Sequence, residues 1–159
     1  MDIHRLKYKD IKYLTHSRVH YLWAINELNE KKGYARATDV ASLLGISRSA
    51  VSIALGHLKA LKLVIEKLPE HTLKLTILGK KHLNNIDNNF IILSRFFKSF
   101  LNLDEEIATK QACLIEHLLL EEVAKKINQI IDASPSISLE KATISMPKST
   151  KKLEENTYD

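Results

Sequence analysis

Glycine and proline are scarce in this sequence, 4 and 3 among 159 residues. Breakers this rare suit a helix-rich chain and disfavour a β protein with many turns. A single cysteine, Cys113, excludes an internal disulfide. No apolar run reaches the length that crosses a bilayer, and Met1-Asp2-Ile3-His4 has no signal-peptide core behind it. These absences point to a cytoplasmic protein with no membrane partner. Also missing are a glycine-rich phosphate loop, a nucleophile elbow and a pair of catalytic carboxylates, so an enzyme is not expected.

What is present is an ordinary globular composition, 45% apolar and 27% charged, which argues against global disorder. The net charge of +5 is unevenly spread. Residues 1–81 hold 15 Lys/Arg against 7 Asp/Glu, a net of +8, and residues 82–159 hold 9 against 12, a net of −3. A basic first half on a mildly acidic second half fits one module that meets a polyanion and another with a different task. Chance clustering of solvated lysines would give the same count, so charge alone decides nothing.

Hydrophobic periodicity divides the chain further. Residues 1–16 form an N-terminal arm. Val19, Leu22, Trp23, Ile25 and Leu28 predict a helix from about Ser17 to Lys32, closed by Gly33. Thr38 is read as the N-cap of a short helix with Val40, Leu43 and Leu44 inward. Gly45 makes a left-handed turn, Ile46 drops into the core, and Ser47 caps a helix from Arg48 to about Leu61. Small Ala41, turn Gly45 and apolar Val51 have the spacing of a helix-turn-helix. Strands over 63–68 and 73–76, with Pro69 to Thr72 as the tip, add a wing. Beyond it, a helix runs from about Lys80 to Phe100, with Ile86, Phe90, Leu93, Phe97 and Phe100 on one face. Asp104 then caps a helix running from Glu105 to about Ile131. The segment 133–159 reads as a disordered tail.

The fold expected is therefore mainly α: a winged helix-turn-helix over 17–80, then an all-α module over 81–132. In a helix-turn-helix the second helix enters the major groove. Here Ser47, Arg48, Ser49, Ala50, Ser52 and Ile53 occupy its reading end. Arg48 can fork onto a guanine, the serines can reach base edges or phosphates, and Ala50 or Ile53 can touch a thymine methyl. Lys67, His71 and Lys74 on the wing are candidate phosphate contacts. A winged helix can also serve as a scaffold for protein contacts, and that alternative stays open.

A second cluster is Cys113-Leu114-Ile115-Glu116-His117. Helix positions three and four apart share a face, so Cys113, Glu116 and His117 converge as thiol, carboxyl and imidazole. Those are ligands of first-row transition metals. A lone cysteine on an apolar face is ordinarily core and a Glu-His pair ordinarily surface, so spacing alone leaves both readings standing.

The order of these parts resembles the diphtheria-toxin-repressor and manganese-transport-regulator family of metal-dependent repressors. The resemblance covers about residues 17–130. It rests on Tyr21 to Leu28 leading into Lys32 to Ala41, and on Leu103-Asp104-Glu105-Glu106 followed by Cys113 to His117. It implies a metal site from Cys113, Glu116 and His117 with a first-helix ligand, which falls on His20 where relatives carry Met or Asp. Such a mixed set suits iron, zinc or cobalt better than manganese, with one divalent metal per subunit. The chain also departs from the family pattern. A manganese-type glutamate falls on Trp23, a family histidine on Phe90, and two further second-site positions on Ser94 and Thr109, so the two-metal site looks lost. Larger members carry an added SH3-like domain for which the stretch after Ile131 is too short.

The resemblance further implies a homodimer built on the two C-terminal helices, with Phe90, Leu93, Phe97, Phe100 and Leu118 to Leu120 supplying core and interface. Such a dimer reads a palindromic operator in double-stranded DNA, represses metal-uptake genes and uses the metal as corepressor. A winged-helix regulator that has lost metal sensing is the rival expectation.

Overall fold

A computed structural model describes residues 14–133. The arm expected over 1–16, apart from its last three residues, and the tail expected after residue 133 lie outside the described residues. The element order is α1 (His16–Lys32), α2 (Ala37–Leu44), α3 (Arg48–Ala60), β1 (Val64–Lys67), β2 (Thr72–Leu75), α4 (Ile77–Arg95), a π-helical turn (Phe96–Phe100), α5 (Glu105–Ile115), a 3-10 turn (Glu116–Leu118) and α6 (Glu121–Asp132). The protein is mainly α, with a winged helix-turn-helix ahead of a helical module, as the sequence implies. Among the described residues no single helix is long and apolar enough to cross a membrane.

The chain turns by 116° between α2 and α3, within the usual range for a helix-turn-helix. Gly45 makes the turn in the left-handed region, at φ 68°, where a side chain would be strained. Val40, Ala41, Leu44, Val51, Leu55 and Leu58 are buried between the helices and α1. Ser47 caps α3 as expected, its Oγ accepting from the Ala50 N–H at 3.2 Å. Thr38 does not cap α2. The helix begins at Ala37, two residues earlier than a cap at Thr38 would place it, and the N–H of Arg36 at the cap position donates to the Asp39 carboxylate at 3.1 Å. An acid at the third helical position reaches back to the free N–H groups, which displaces the threonine from that role.

β1 and β2 pair antiparallel, Val64 opposite Leu75 and Lys67 opposite Thr72, and form the wing. α4 starts at Ile77, three residues before the sequence expectation, because Thr76 Oγ1 accepts from the Gly79 N–H at 2.9 Å and caps it there. Gly79 lies against the Leu63 carbonyl: a Cβ on it would fall 2.1 Å from that oxygen. This contact seats the start of α4 against the segment that enters the wing.

The single helix expected over 105–131 is two helices. α5 ends at Ile115, and a 3-10 turn and extended backbone at Leu119 and Leu120 precede α6. The Asn89 amide on α4 donates to the Glu116 carbonyl at 2.9 Å and the Leu119 carbonyl at 3.0 Å. Those oxygens are taken from the helix ladder, which offsets the cost of the break. Asp104 stands at the start of α5 without a side-chain cap bond.

Two buried clusters result. One joins α1, α2, α3, the wing and the first half of α4, as far as Leu83 and Ile86. The other gathers Phe90, Leu93 and Ala112, with Phe97, Cys113, Ile115, Leu119 and Ile127 packed around them. α4 contributes to both clusters and brings the end of α5 against the start of α1.

Candidate metal centre

Three elements meet where the first turns of α1 approach the end of α5. His16 and His20 are one helical turn apart on α1, and their Nε2 atoms lie 3.1 Å from each other. Cys113, in the last turn of α5, places its Sγ 3.9 Å from His20 Nε2. Beyond the break, Glu116 and His117 follow in the 3-10 turn, with 3.7 Å between Glu116 Oε1 and His117 Nδ1. The four residues singled out in the sequence, His20, Cys113, Glu116 and His117, therefore lie in two neighbouring pairs of donors where α1 meets the end of α5. The structure adds a fifth, His16. Donor atoms of His16, His20 and Cys113 all lie within 4.8 Å of one another, and so do those of His16, Glu116 and His117. Sequence reasoning missed His16, although its i, i+4 spacing from His20 stacks the two imidazoles on one helix face.

The electrostatics are those of a dry site. Glu116 is fully buried, and neither of its carboxyl oxygens has a hydrogen-bond partner. Burial, with a smaller contribution from the Asp87 charge, pushes its pKa up to about 8. Burial raises Cys113 to about 12, and the Glu116 charge adds to it. His20 is pushed down to about 4 by burial and then by His16 and His117. His16 is lowered by burial against a smaller opposing effect of the Cys113 carbonyl, and His117 by burial and then His16. Near neutral pH the metal-free cluster thus holds neutral imidazoles, a thiol and a largely protonated carboxyl. Neutral imidazole is the ligating form of histidine. Orphaned buried atoms on Glu116 and His117 are what a site built for a cation leaves exposed when considered without it. The donor set fits a first-row transition metal.

The positions that the sequence comparison placed at a second site do not join the converging donors among the described residues. Trp23 instead donates its indole N–H to Asp87 at 2.6 Å, tying α1 to α4. Phe90 is fully buried core and Ser94 is buried in α4. Thr109 lies half-buried in α5.

Away from this centre, Arg48, Ser49, Ser52 and Ile53 are exposed on the outer face of α3, with Ser47 exposed at its cap and Ala50 half-buried. Ile53 is 65% exposed. On the wing Lys67 and Lys74 are exposed, and His71 stands at the tip, where Nδ1 lies 2.9 Å from Glu66. Glu66 is also paired with Lys59 at the end of α3. That acid, absent from the sequence-based list, ties His71 back to the wing rather than leaving it free.

Residues 76–135 match the family model of the iron-dependent repressor metal-binding and dimerisation domain. A helix-turn-helix-type transcriptional regulator of Methanocaldococcus jannaschii, itself uncharacterized, is 30% identical over 100 residues. The match covers 63% of this chain and 79% of that protein. This chain belongs to the diphtheria-toxin-repressor and manganese-transport-regulator family. Among solved structures, a hypothetical protein from Sulfolobus solfataricus superposes with a TM-score of 0.65 at 22% identity, covering 74% of this chain and 88% of that one. The IdeR of T. acidophilum gives 0.58 at 24% identity over 77% of this chain and 56% of that one. For the manganese regulator SloR the values are 0.63, 20%, 74% and 54%. These likenesses show the family fold, and the chain spans a little over half the length of the latter two proteins.

Proposed function

We propose that this family member is a metal-dependent, DNA-binding transcriptional repressor whose metal acts as corepressor. The observation that carries this reading is the approach of His20 to Cys113, residues 93 apart in sequence, at 3.9 Å. His20 belongs to the helix that supports the helix-turn-helix, and Cys113 to the module that matches the dimerisation domain. A divalent cation held by His20, Cys113, Glu116 and His117 would offset the charge of the carboxylate and thiolate and bind the two modules to each other. That fixes the recognition helix relative to the module below it. Metal that favours the DNA-binding arrangement is favoured in return by DNA, by the same factor.

The remaining features agree with this reading. α3 presents Arg48, Ser49, Ser52 and Ile53 outward for base edges, and the wing offers Lys67 and Lys74 to phosphates. Phe100, Leu118, Leu120 and Val123 are between 44% and 56% exposed, an apolar surface suited to a second copy of the chain. Two copies related by a two-fold axis would read a palindrome, through winged-helix modules spanning about 17–80 and helical modules spanning about 81–132. The protein acts in the cytoplasm as a regulator and not as an enzyme. Its targets are metal-uptake genes.

Fluorescence anisotropy with the DNA upstream of its own gene tests the reading, first in chelator and then with Mn²⁺, Fe²⁺, Co²⁺ or Zn²⁺. One of these metals should tighten binding at least tenfold, about 1.4 kcal/mol of coupling. His20→Ala should abolish that response. Tight binding indifferent to every metal would instead favour a regulator that has lost metal sensing, the reading that Trp23 and Phe90 at second-site positions bring to mind.

A further inference from the structure

His16 is not among the four ligands of that reading, and no position compared with the family pattern in the sequence falls on it. It opens α1, one turn before His20. It is the residue common to the two groups of converging donors, His16 with His20 and Cys113, and His16 with Glu116 and His117. Its ring lies 4.5 Å from that of His20 and 5.6 Å from that of His117, centroid to centroid. Two nitrogens held by one ion at about 2.0–2.1 Å each stand about 3 Å apart. The Nε2 atoms of His16 and His20, close enough to share a hydrogen bond at 3.1 Å, are also close to that separation. Both oxygens of Glu116 and Nδ1 of His117, in the second of these groups, are buried and have no hydrogen-bond partner. Buried polar atoms left unpaired are costly, and one cation among these donors would serve several of them together.

We propose that His16 is a metal ligand of this chain, and that with it the site selects a borderline cation such as Co²⁺ or Zn²⁺ over Mn²⁺. The inference rests on the metal-responsive reading above and deepens it. Counting His16, the donors are three imidazoles, one thiolate and one carboxylate. Manganese favours oxygen ligands, whereas imidazole and thiolate favour zinc and cobalt. Trp23, one turn beyond His20 on the same face of α1, adds no donor, since its indole N–H is bonded to Asp87. A metal gripping His16 also holds the first residue of α1 against the end of α5, so the hold on the winged helix is made at two successive turns.

The test is a Co²⁺ titration of the full chain followed by visible absorption, repeated with Mn²⁺ in competition. It compares the natural protein with His16→Ala, His16→Gln and the control His82→Ala. Circular dichroism in chelator checks that each variant folds, and His16→Gln, which keeps polarity and size, is the deciding variant if His16→Ala does not. Both His16 variants should weaken Co²⁺ binding at least tenfold, shift the ligand-field bands and reduce the preference for Co²⁺ over Mn²⁺, while the control changes none of these. Unchanged spectra and affinities in both variants would overturn the role of His16 and leave the metal-responsive reading in place. An unchanged Co²⁺ to Mn²⁺ preference would overturn the selectivity. Failure of the natural protein to bind Co²⁺, Zn²⁺ or Mn²⁺ at all would defeat both readings.

Discussion

Replacing Glu116 by Gln should stabilise the metal-free protein and cost it its metal. The carboxyl is fully buried with neither oxygen hydrogen-bonded. Burial first, and the Asp87 charge after it, raise its pKa from 4.5 to about 8. A carboxyl with a folded-state pKa above its unfolded value keeps a proton in the folded protein that the unfolded chain has released. Its contribution is fully present below about pH 4.5 and is lost as pH rises to about 8. The difference caps this loss at roughly 5 kcal/mol, at about 1.4 kcal/mol per pH unit, and relaxation with water entry lowers it to about 2–3 kcal/mol. Glutamine has the same shape and no charge to bury. Urea unfolding in chelator, at fixed protein concentration, should give equal stabilities for the natural protein and Glu116→Gln near pH 5. Near pH 8 the variant should be more stable by about 2–3 kcal/mol. Other titrating groups are common to both proteins and largely cancel in the difference. Adding Zn²⁺ at pH 8 should then reverse the order, because ligand binding stabilises only the protein that binds it. A variant no more stable than the natural protein at pH 8 would refute the assignment of Glu116 as a carboxyl held at a cost for the cation.

Three further outcomes are expected. Asn89→Ala removes both amide bonds that hold the break after α5, and should weaken Co²⁺ affinity about 10–100-fold in calorimetry while the fold persists, as loss of a support behind ligands usually does. Gly79→Ala drives a Cβ into the Leu63 carbonyl and should lower stability by roughly 2 kcal/mol or more, read as a fall in the thermal midpoint. Arg48→Ala, on the exposed face of α3, should cost about 1–3 kcal/mol against the operator and little against random DNA, whereas Lys67→Ala should weaken both alike and flatten the salt dependence of binding.

The sequence by itself determined the elements whose signal is local. The spacing of Ala41, Gly45 and Val51 and the cap at Ser47 are read within a few residues and form as expected; the hairpin around Pro69 also forms, with strands at Val64–Lys67 and Thr72–Leu75 in place of 63–68 and 73–76. It also marked Cys113, Glu116 and His117, since the interval from Cys113 to His117 is short, while His20 was pointed to only by the family resemblance. Tertiary structure decided the rest. Periodicity could not show the break after Ile115, because the group that captures the carbonyls of Glu116 and Leu119 is Asn89, on another helix. Nor could it show that His16 meets Glu116 and His117, residues about a hundred positions away, which depends on how α4 packs α5 against the start of α1. Local pattern sets which face of a helix is apolar. Which polar groups end up stripped of water and facing one another is set only when the faces close, and in this chain that closure makes the candidate metal site.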